Sequence, residues 1–212
     1  MPEFSEPLTW LCILIGYVVG ATPFGLIVGK MRGIDIREHG SGNIGATNVL
    51  RTLGKPVGIS VLVLDILKGM IPVLIAMAIS ESTIVHIVTA IATILGHNYT
   101  FWLKFKGGKG IATTAGAMIL LIPVPALFSI LSWIIVFKIT RYVSLGSIAA
   151  ALALPIVGTI QALVTGNWDW AILLFCLILC VLAIWKHRGN IDRLMKGEEA
   201  RFQKKSERKA PD

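Results

Sequence analysis

Two short stretches concentrate polar chemistry in an otherwise oily chain. Residues 38–55 read EHGSGNIGATNVLRTLGK. Within the eleven residues 40–50 there are three glycines and the hydroxyls and amides of Ser41, Asn43, Thr47 and Asn48, and Arg51 follows one turn later. Glycine lets a backbone turn its N–H groups toward an anion without a side chain in the way. Ser, Thr and Asn add neutral donors, and arginine adds a planar cation suited to phosphate. A polar connecting loop with helix caps is the plainer alternative for the same residues. The second stretch, FKGGKG at 105–110, sets Lys106 and Lys109 around Gly107 and Gly108 and runs into an apolar helix expected from about Gly110. A helix N-terminus exposes free N–H groups and the positive end of its dipole, so it takes phosphate readily. Thr113 and Thr114 are placed to cap that helix or to meet the same anion. This is not a Walker A loop, because Lys109 is followed by glycine and not by Ser or Thr. Lysines beside a membrane span often only set topology. Lys104 fits that role, whereas Lys109, with glycine on both sides, is the better candidate for a phosphate contact.

Two further segments carry candidates. In RYVSLGS, 141–147, Ser144 either caps the following helix or reaches the site. In WKHRGNIDRLMKGEE, 185–199, His187 and Asn190 lie three apart and share a helix face if the preceding helix continues. For His187 a base, a phosphate contact, an orienting donor and an interfacial histidine with no role all stay open. His97, in GHNY near the lysine loop, reads as a packing or hydrogen-bonding residue. Asp65 and Lys68 fall inside an apolar run, where a bare charge costs roughly 2.5–3.5 kcal/mol. They are expected to pair or to face the bundle interior as structural groups.

The elements that must position these residues are transmembrane helices. Of the 212 residues 55% are hydrophobic and only 15% charged, and the mean hydropathy is +0.76, against about 25% charge in a soluble domain. Runs near 20 apolar residues match the roughly 30 Å hydrocarbon layer. The expected spans are 8–29, 57–79, 83–103, 110–122, 124–139, 143–165 and 170–185. The fourth and fifth are short and separated by IPVP, so a broken segment or a re-entrant pair is the alternative. The fold class is thus an all-α integral membrane protein of about seven helices, one domain over 1–196, with a frayed polar tail at 197–212.

Charge sets the orientation. Nineteen of the 20 Lys and Arg residues fall in the loops after spans one, three and five and after span seven. The remaining one is Lys68. The other side carries Glu3, Glu6, Glu81 and Asp169. Positive residues collect on the cytoplasmic side, which puts the N-terminus outside and the C-terminus in the cytoplasm. The net charge of +8 is this asymmetry. It suits anionic lipid headgroups and gives no sign of nucleic acid. The acidic start and the lack of an A-x-A site argue against a cleaved signal peptide. Five of six tryptophans lie at span ends, Trp133 being the exception. The GxxxG pairs GYVVG and GLIVG allow close helix packing, and Pro23 between them is expected to kink the first span. Cys12, Cys176 and Cys180 fall within spans without His or carboxylate neighbours, so they read as reduced packing thiols and no metal is expected.

SGNIGATN, FKGGKGIAT, RYVSLGS and HRGNIDRLMKGEE, in that order, resemble the PlsY family of bacterial acyl-phosphate:glycerol-3-phosphate acyltransferases over residues 20–199. The resemblance implies transfer of a fatty acyl group from acyl phosphate to the 1-hydroxyl of glycerol 3-phosphate. Lysophosphatidate and phosphate are then the products, in phospholipid synthesis at the bacterial cytoplasmic membrane, without cofactor. It implies a seven-helix bundle with a cytoplasmic active site. On this basis Lys109, Arg51, Ser41 and His187 are expected in catalysis. Asn43, Thr47, Asn48, Gly107, Gly108, Gly110, Ser144 and Asn190 are expected in substrate binding. Two positions depart from the family: Gly189 where an acidic residue is usual in HRxN, and Thr100 where GHxxP has proline. The partners are acyl phosphate, glycerol 3-phosphate and membrane lipid. The oligomeric state is open and compatible with a monomer.

An acyl phosphate is a mixed anhydride with a good leaving group, so a hydroxyl attacks it directly. The chain has no H-x-x-x-x-D pair and no G-x-S-x-G nucleophile, and the loops before the tail offer only Asp35 and Glu38 as carboxylates. Proton acceptance by the donor's own phosphate is the expected scheme, with alignment and charge stabilisation from the protein. His187 as general base is the rival. A transporter of a phosphorylated solute is a second class, disfavoured because the polar donors lie on one side and no paired broken helices appear. A non-catalytic lipid-binding scaffold is a third.

Overall fold

The computed structural model describes residues 2–202, and regular structure among them is helical throughout. The first expected span is two helices, α1 (Pro7–Gly20) and α2 (Phe24–Met31), separated where Pro23 cannot donate a backbone hydrogen bond. A short amphipathic helix, α3 (Ala46–Leu53), lies between the spans and ends at Gly54, whose φ of 88° is left-handed. Then come α4 (Lys55–Ile79), α5 (Thr83–Asn98), α6 (Ile111–Leu121), α7 (Pro123–Thr140), α8 (Val143–Thr165) and α9 (Trp170–Lys186), the last capped by the Asp169 carboxylate. A final helix, α10 (Arg188–Met195), bends 56° away from α9.

Each expected span has a helical counterpart. Five are long and apolar enough to cross a membrane alone: Pro7–Met31, Lys55–Ile79, Thr83–Leu103, Pro123–Thr140 and Val143–Thr165. The α9 segment qualifies only together with the bent α10. The fourth, α6, has 11 residues. At 1.5 Å per residue that is about 16 Å, roughly half the hydrocarbon thickness. The IPVP turn is therefore a real boundary: α6 packs on α4, and α7 packs on α8.

Small residues bring the helices close. A Cβ on Gly20 would meet the Thr93 carbonyl oxygen at 2.0 Å, and one on Gly116 would meet that of Ile66 at 2.1 Å, so the GYVVG face packs on α5 as its spacing requires. Phe175, Leu179, Ile94, Val73, Ala117 and Leu154 fill the main core. Trp133, the tryptophan outside the belt, donates its indole N–H to Ser147 on α8 at 3.3 Å. Asp65 and Lys68 are both buried and form an ion pair at 2.8 Å, as the cost of a bare charge there demands.

One expectation is corrected. The tail after residue 196 does not fray at once. Residues 197–202 fold back across the end of the bundle, with the Phe202 N–H on the Arg141 carbonyl at 3.0 Å and the Arg201 Nε on that of Thr140 at 3.2 Å. The physical reason is the anchoring of Glu199, described below. Residues 203–212 lie outside the described residues.

Candidate active site

The glycine loop is a strap laid over the last turn of α5. Lys104 and Phe105 take left-handed φ values of 51° and 62° and reverse the chain. The N–H groups of Gly107 and Gly108 then donate to the carbonyls of Asn98 and His97 at 3.2 and 3.1 Å. Glycine is required at both places. A Cβ on Gly107 would lie 2.1 Å from the His97 carbonyl oxygen, and one on Gly108 would lie 2.1 Å from His97 Nε2. Gly110, at φ 79°, turns the chain into α6 as its N-cap. Lys109 projects from this strap and hydrogen-bonds through Nζ to Asn190 Oδ1 on α10.

The first loop is organised by Asn48. Its Oδ1 accepts from the Ser41 N–H at 2.9 Å, and its Nδ2 donates to the carbonyls of Ile36 and His39 at 3.0 and 2.9 Å. The side chain is thus committed to backbone, and Asn48 shapes the loop from beneath instead of facing a ligand. Asn43 closes an Asx turn by accepting from the Gly45 N–H at 2.8 Å. Val49 and Ile44 seat the loop against Leu26 of α2 and Val61 of α4.

The third wall comes from α9, α10 and the returning segment, and its hub is Glu199. Oε1 accepts from Ser144 Oγ at 2.7 Å and from Asn190 Nδ2 at 2.6 Å, while Oε2 pairs with Arg193 Nε at 2.8 Å. Arg51 donates to the Ala200 carbonyl at 3.1 Å and lies over the Phe202 ring. Lys186 donates to the Asn98 carbonyl at 3.0 Å, across the foot of the glycine loop, and its ammonium sits 4.6 Å from the Tyr99 ring centre. His187 is buried, with its Nδ1–H on the Ala183 carbonyl at 2.8 Å.

These walls enclose an open cleft of about 330 Å³. Ser41 and Asn43 line one side, Gly107, Gly108 and Lys109 the second, and Lys186, Arg188, Asn190 and Arg193 the third. A cavity of about 360 Å³ between the start of α1 and the end of α4 is lined by Glu3 and Glu6 and by no cation, so it does not suit an anion. Burial pushes the Lys109 ammonium down to about 8; Glu199 opposes this, and Arg193, Arg51 and Lys186 add to it. Burial and the Lys109 charge bring His187 down to about 4. Burial alone would raise Glu199, but the hydrogen bonds from Ser144, Asn190 and Arg193 outweigh it and hold the carboxyl below its ordinary value. Burial likewise lowers Arg51.

Of the expected residues, the cleft therefore gathers Ser41, Asn43, Gly107, Gly108, Lys109 and Asn190 along its walls. Gly110 turns the chain behind them. Thr47 sits in the first turn of α3, off the lining. Ser144, Arg51 and His187 also stand behind the lining, bonded to Glu199, Ala200 and the first turn of α10 respectively. Glu199, Arg193 and Lys186 had no assigned role. Glu199 closes the HRGNIDRLMKGEE motif, which marks its position but not its contacts to Ser144, Asn190 and Arg193. The site can bind phosphate groups with four cationic side chains and a row of small donors, and it offers a basic amine, Lys109, within hydrogen-bond reach of a neutral amide.

A protein-family profile described as "Glycerol-3-phosphate acyltransferase" matches residues 10–197. The glycerol-3-phosphate acyltransferase of Desulforamulus reducens is 46% identical over 93% of this chain and 98% of its own length. That of Aquifex aeolicus is 41% identical over 90% and 97%. Among solved structures, PlsY, an integral membrane glycerol 3-phosphate acyltransferase, superposes in its glycerol 3-phosphate form with a TM-score of 0.83. The identity is 41%, covering 92% of this chain and 96% of that one. Its lysophosphatidic acid form gives 0.80 at 40% identity, over 92% and 95%.

Proposed function

The chain belongs to the glycerol-3-phosphate acyltransferase family, and from that premise we propose that its acyl donor is an acyl phosphate and its acceptor atom the 1-hydroxyl of glycerol 3-phosphate. The acyltransferase activity toward glycerol 3-phosphate and the integral membrane fold come with the family. The observation that carries the reading is the position of Lys109. It stands at the end of a glycine strap, in a cleft with three other cations whose described lining holds no cysteine or histidine and one serine, Ser41, with no histidine base beside it on the walls.

Both substrates bring a phosphate, and the cleft offers cationic and amide donors to hold two. The acceptor hydroxyl attacks the donor's carbonyl carbon, a C–O bond forms, and the bond from that carbon to the phosphate oxygen breaks. The hydroxyl proton passes to the departing phosphate. Lys109 and the strap stabilise the charge that develops on the carbonyl and bridging oxygens, and the fixed backbone supplies alignment. His187 is a poor general base in this scheme. A pKa of about 4 makes its conjugate acid too strong to hold a proton at neutral pH. We assign it as a positioning residue that sets the bend into α10 and so places Asn190, whose N–H donates to the His187 carbonyl at 2.8 Å. Ser41, Asn43, Gly107, Gly108 and Asn190 contact the substrates. Thr47, Asn48, Gly110, Ser144 and Arg51 hold the walls.

We place the site at the cytoplasmic face of a bacterial cytoplasmic membrane, with the N-terminus outside, because the basic residues collect in the segments that build the cleft. Residues 1–196 form one membrane domain on this reading. Purified protein in detergent, given glycerol 3-phosphate with either acyl phosphate or acyl-CoA, tests the donor. Lysophosphatidate and inorganic phosphate form from acyl phosphate only. Equal turnover with acyl-CoA refutes the assignment.

A further inference from the structure

The buried polar cluster inside the bundle touches the elements that carry two of the cleft's three walls. On α4, Lys68 and Asp65 are each 2% exposed and paired at 2.8 Å. Lys68 Nζ also donates to the Thr22 carbonyl at 2.8 Å, at the break between α1 and α2. Carbonyls beside a proline break lose their intrahelical donors and must be met from elsewhere. Thr100 meets the neighbouring one, its hydroxyl donating to the Ala21 carbonyl at 2.6 Å. On the other side, His97 turns Nδ1 to within 3.8 Å of Asp65 Oδ1, while its Nε2 lies against Gly108, where a Cβ would come within 2.1 Å. Next to Lys68, Gly69 touches the first turn of α6, where a Cβ would stand 2.1 Å from the Thr113 carbonyl oxygen.

The two ends of this chain of contacts lead to the two loops. Beyond the break, α2 supports the Ser41 loop: a Cβ on Gly25 would lie 1.9 Å from the Ile44 carbonyl oxygen, and Leu26 packs with Ile36, Ile44 and Val49. Beyond His97, the Gly107 and Gly108 strap carries Lys109. We propose that Lys68, Asp65 and His97 are positioning residues that set the register between the Ser41 loop and the Lys109 strap. The pair does so by fixing both to one point on α4. Neither member of the pair lines the cleft, and Lys68 holds the Thr22 carbonyl, which the proline break leaves without an intrahelical donor. The inference takes from the proposed function only that the two loops serve one site.

Hydrogen exchange of the ligand-free protein in detergent, read by mass spectrometry, tests it in Lys68→Met. The expected result is exchange at least about tenfold faster in the segments holding Ser41 and Lys109 together, with α8 and α9 unchanged. In the matching assay, kcat falls at least about tenfold and the KM for glycerol 3-phosphate changes less, because each loop still binds its phosphate but the two no longer align. Wild-type exchange in both loops, acceleration in one alone, or uniform acceleration through all helices overturns the proposal. If Lys68→Met does not fold, His97→Gln decides. The Lys109 segment must then exchange faster while the Ser41 segment keeps its wild-type rate, and an unchanged Lys109 segment overturns the proposal. Because exchange is read without substrate, a wild-type protein that lacks acyl-phosphate activity would refute the donor assignment and leave this inference standing.

Discussion

Lys68 and Lys109 are both lysines withdrawn from bulk water, and the structure treats them differently. Mid-bundle, Lys68 spends its ammonium on a carboxylate, Asp65, and on the Thr22 carbonyl. At the cleft, Lys109 reaches only as far as an amide, Asn190, and the carboxylate one step further, Glu199, is bonded to Asn190, Ser144 and Arg193. A cation matched to a buried anion is finished chemistry. It holds helices in place and has little attraction left for a ligand. A cation held by a neutral oxygen keeps most of its field for whatever anion enters. On the proposed mechanism the same residue type is thus a fastener in one place and a reagent in the other, and the partner decides which.

The hardest test of that contrast is to strand the fastener. Asp65→Ala leaves Lys68 buried beside a carbonyl and without its countercharge, which costs about 3–5 kcal/mol when one member of a buried pair is removed. Unfolding in detergent by heat or denaturant reads it directly. Lys109→Met, by the same measurement, does not lower stability near neutral pH, because it removes a partly buried charge along with that charge's hydrogen bond to Asn190. Its cost falls instead on turnover. Removing one preorganised charge-stabilising donor raises the barrier by about 2.7–4 kcal/mol, roughly 10²–10³ in kcat. Substantial stability loss in Lys109→Met with kcat near normal would erase the distinction between the two lysines.

The same two lysines show what was legible from residue order. Lys68 was readable as a buried paired charge because its neighbours are apolar and an acid lies one helical turn away. Lys109 was readable because glycines flank it and a helix follows. What the pattern of residue types could not carry is which way a side chain faces. Asn48 sits among the donors of the first loop, yet its amide points down onto the carbonyls of Ile36 and His39. Ser144 and Arg51 reach the site only through the segment that carries Glu199. That segment looked like a frayed end because the five residues after Gly197 that the structure describes, four of them charged or small, show no period. Its order comes from long-range bonds to Ser144 on α8 and to Arg51 on α3, and contacts across such sequence distances leave no local signature. The shortness of α6 was visible as a short apolar run. Its pairing with α4 rests on Gly69 and Gly116, whose role appears only when the facing carbonyls are seen.

Glu199 sharpens the comparison because it is the anion that Lys109 does not bond. Glu199→Gln keeps the shape and a hydrogen-bonding oxygen but removes the charge that orients Asn190, Ser144 and Arg193. Hydrogen bonds to charged groups are worth about 1.5–3 kcal/mol, so kcat/KM should fall about ten- to a hundredfold. Arg193, released from its ion pair, leaves an extra free cation on the cleft wall. Inhibition by inorganic phosphate should then strengthen in Glu199→Gln, and unchanged phosphate inhibition together with unchanged kcat/KM would show that the hub does not organise the cleft.

The smallest effect is a pH dependence in which stability and turnover move in opposite directions. Burial lowers the Lys109 ammonium from 10.5 to about 8 in the folded chain. Between those values the unfolded chain holds a proton that the folded chain has released, so the fold gains stability as pH rises through that window. The burial penalty is fully present below about 8 and is relieved above it. Turnover needs the charged form, so kcat/KM should fall as pH rises through about 8. Bound phosphates favour the ammonium, so the alkaline limb of kcat should lie at higher pH than that of kcat/KM, which reports the free enzyme. The rise in stability between about 8 and 10.5 should vanish in Lys109→Met, because methionine has nothing to titrate. An alkaline limb near 8 that survives unchanged in the residual activity of Lys109→Met would assign the titration to another group and remove the basis for treating Lys109 as the reactive cation.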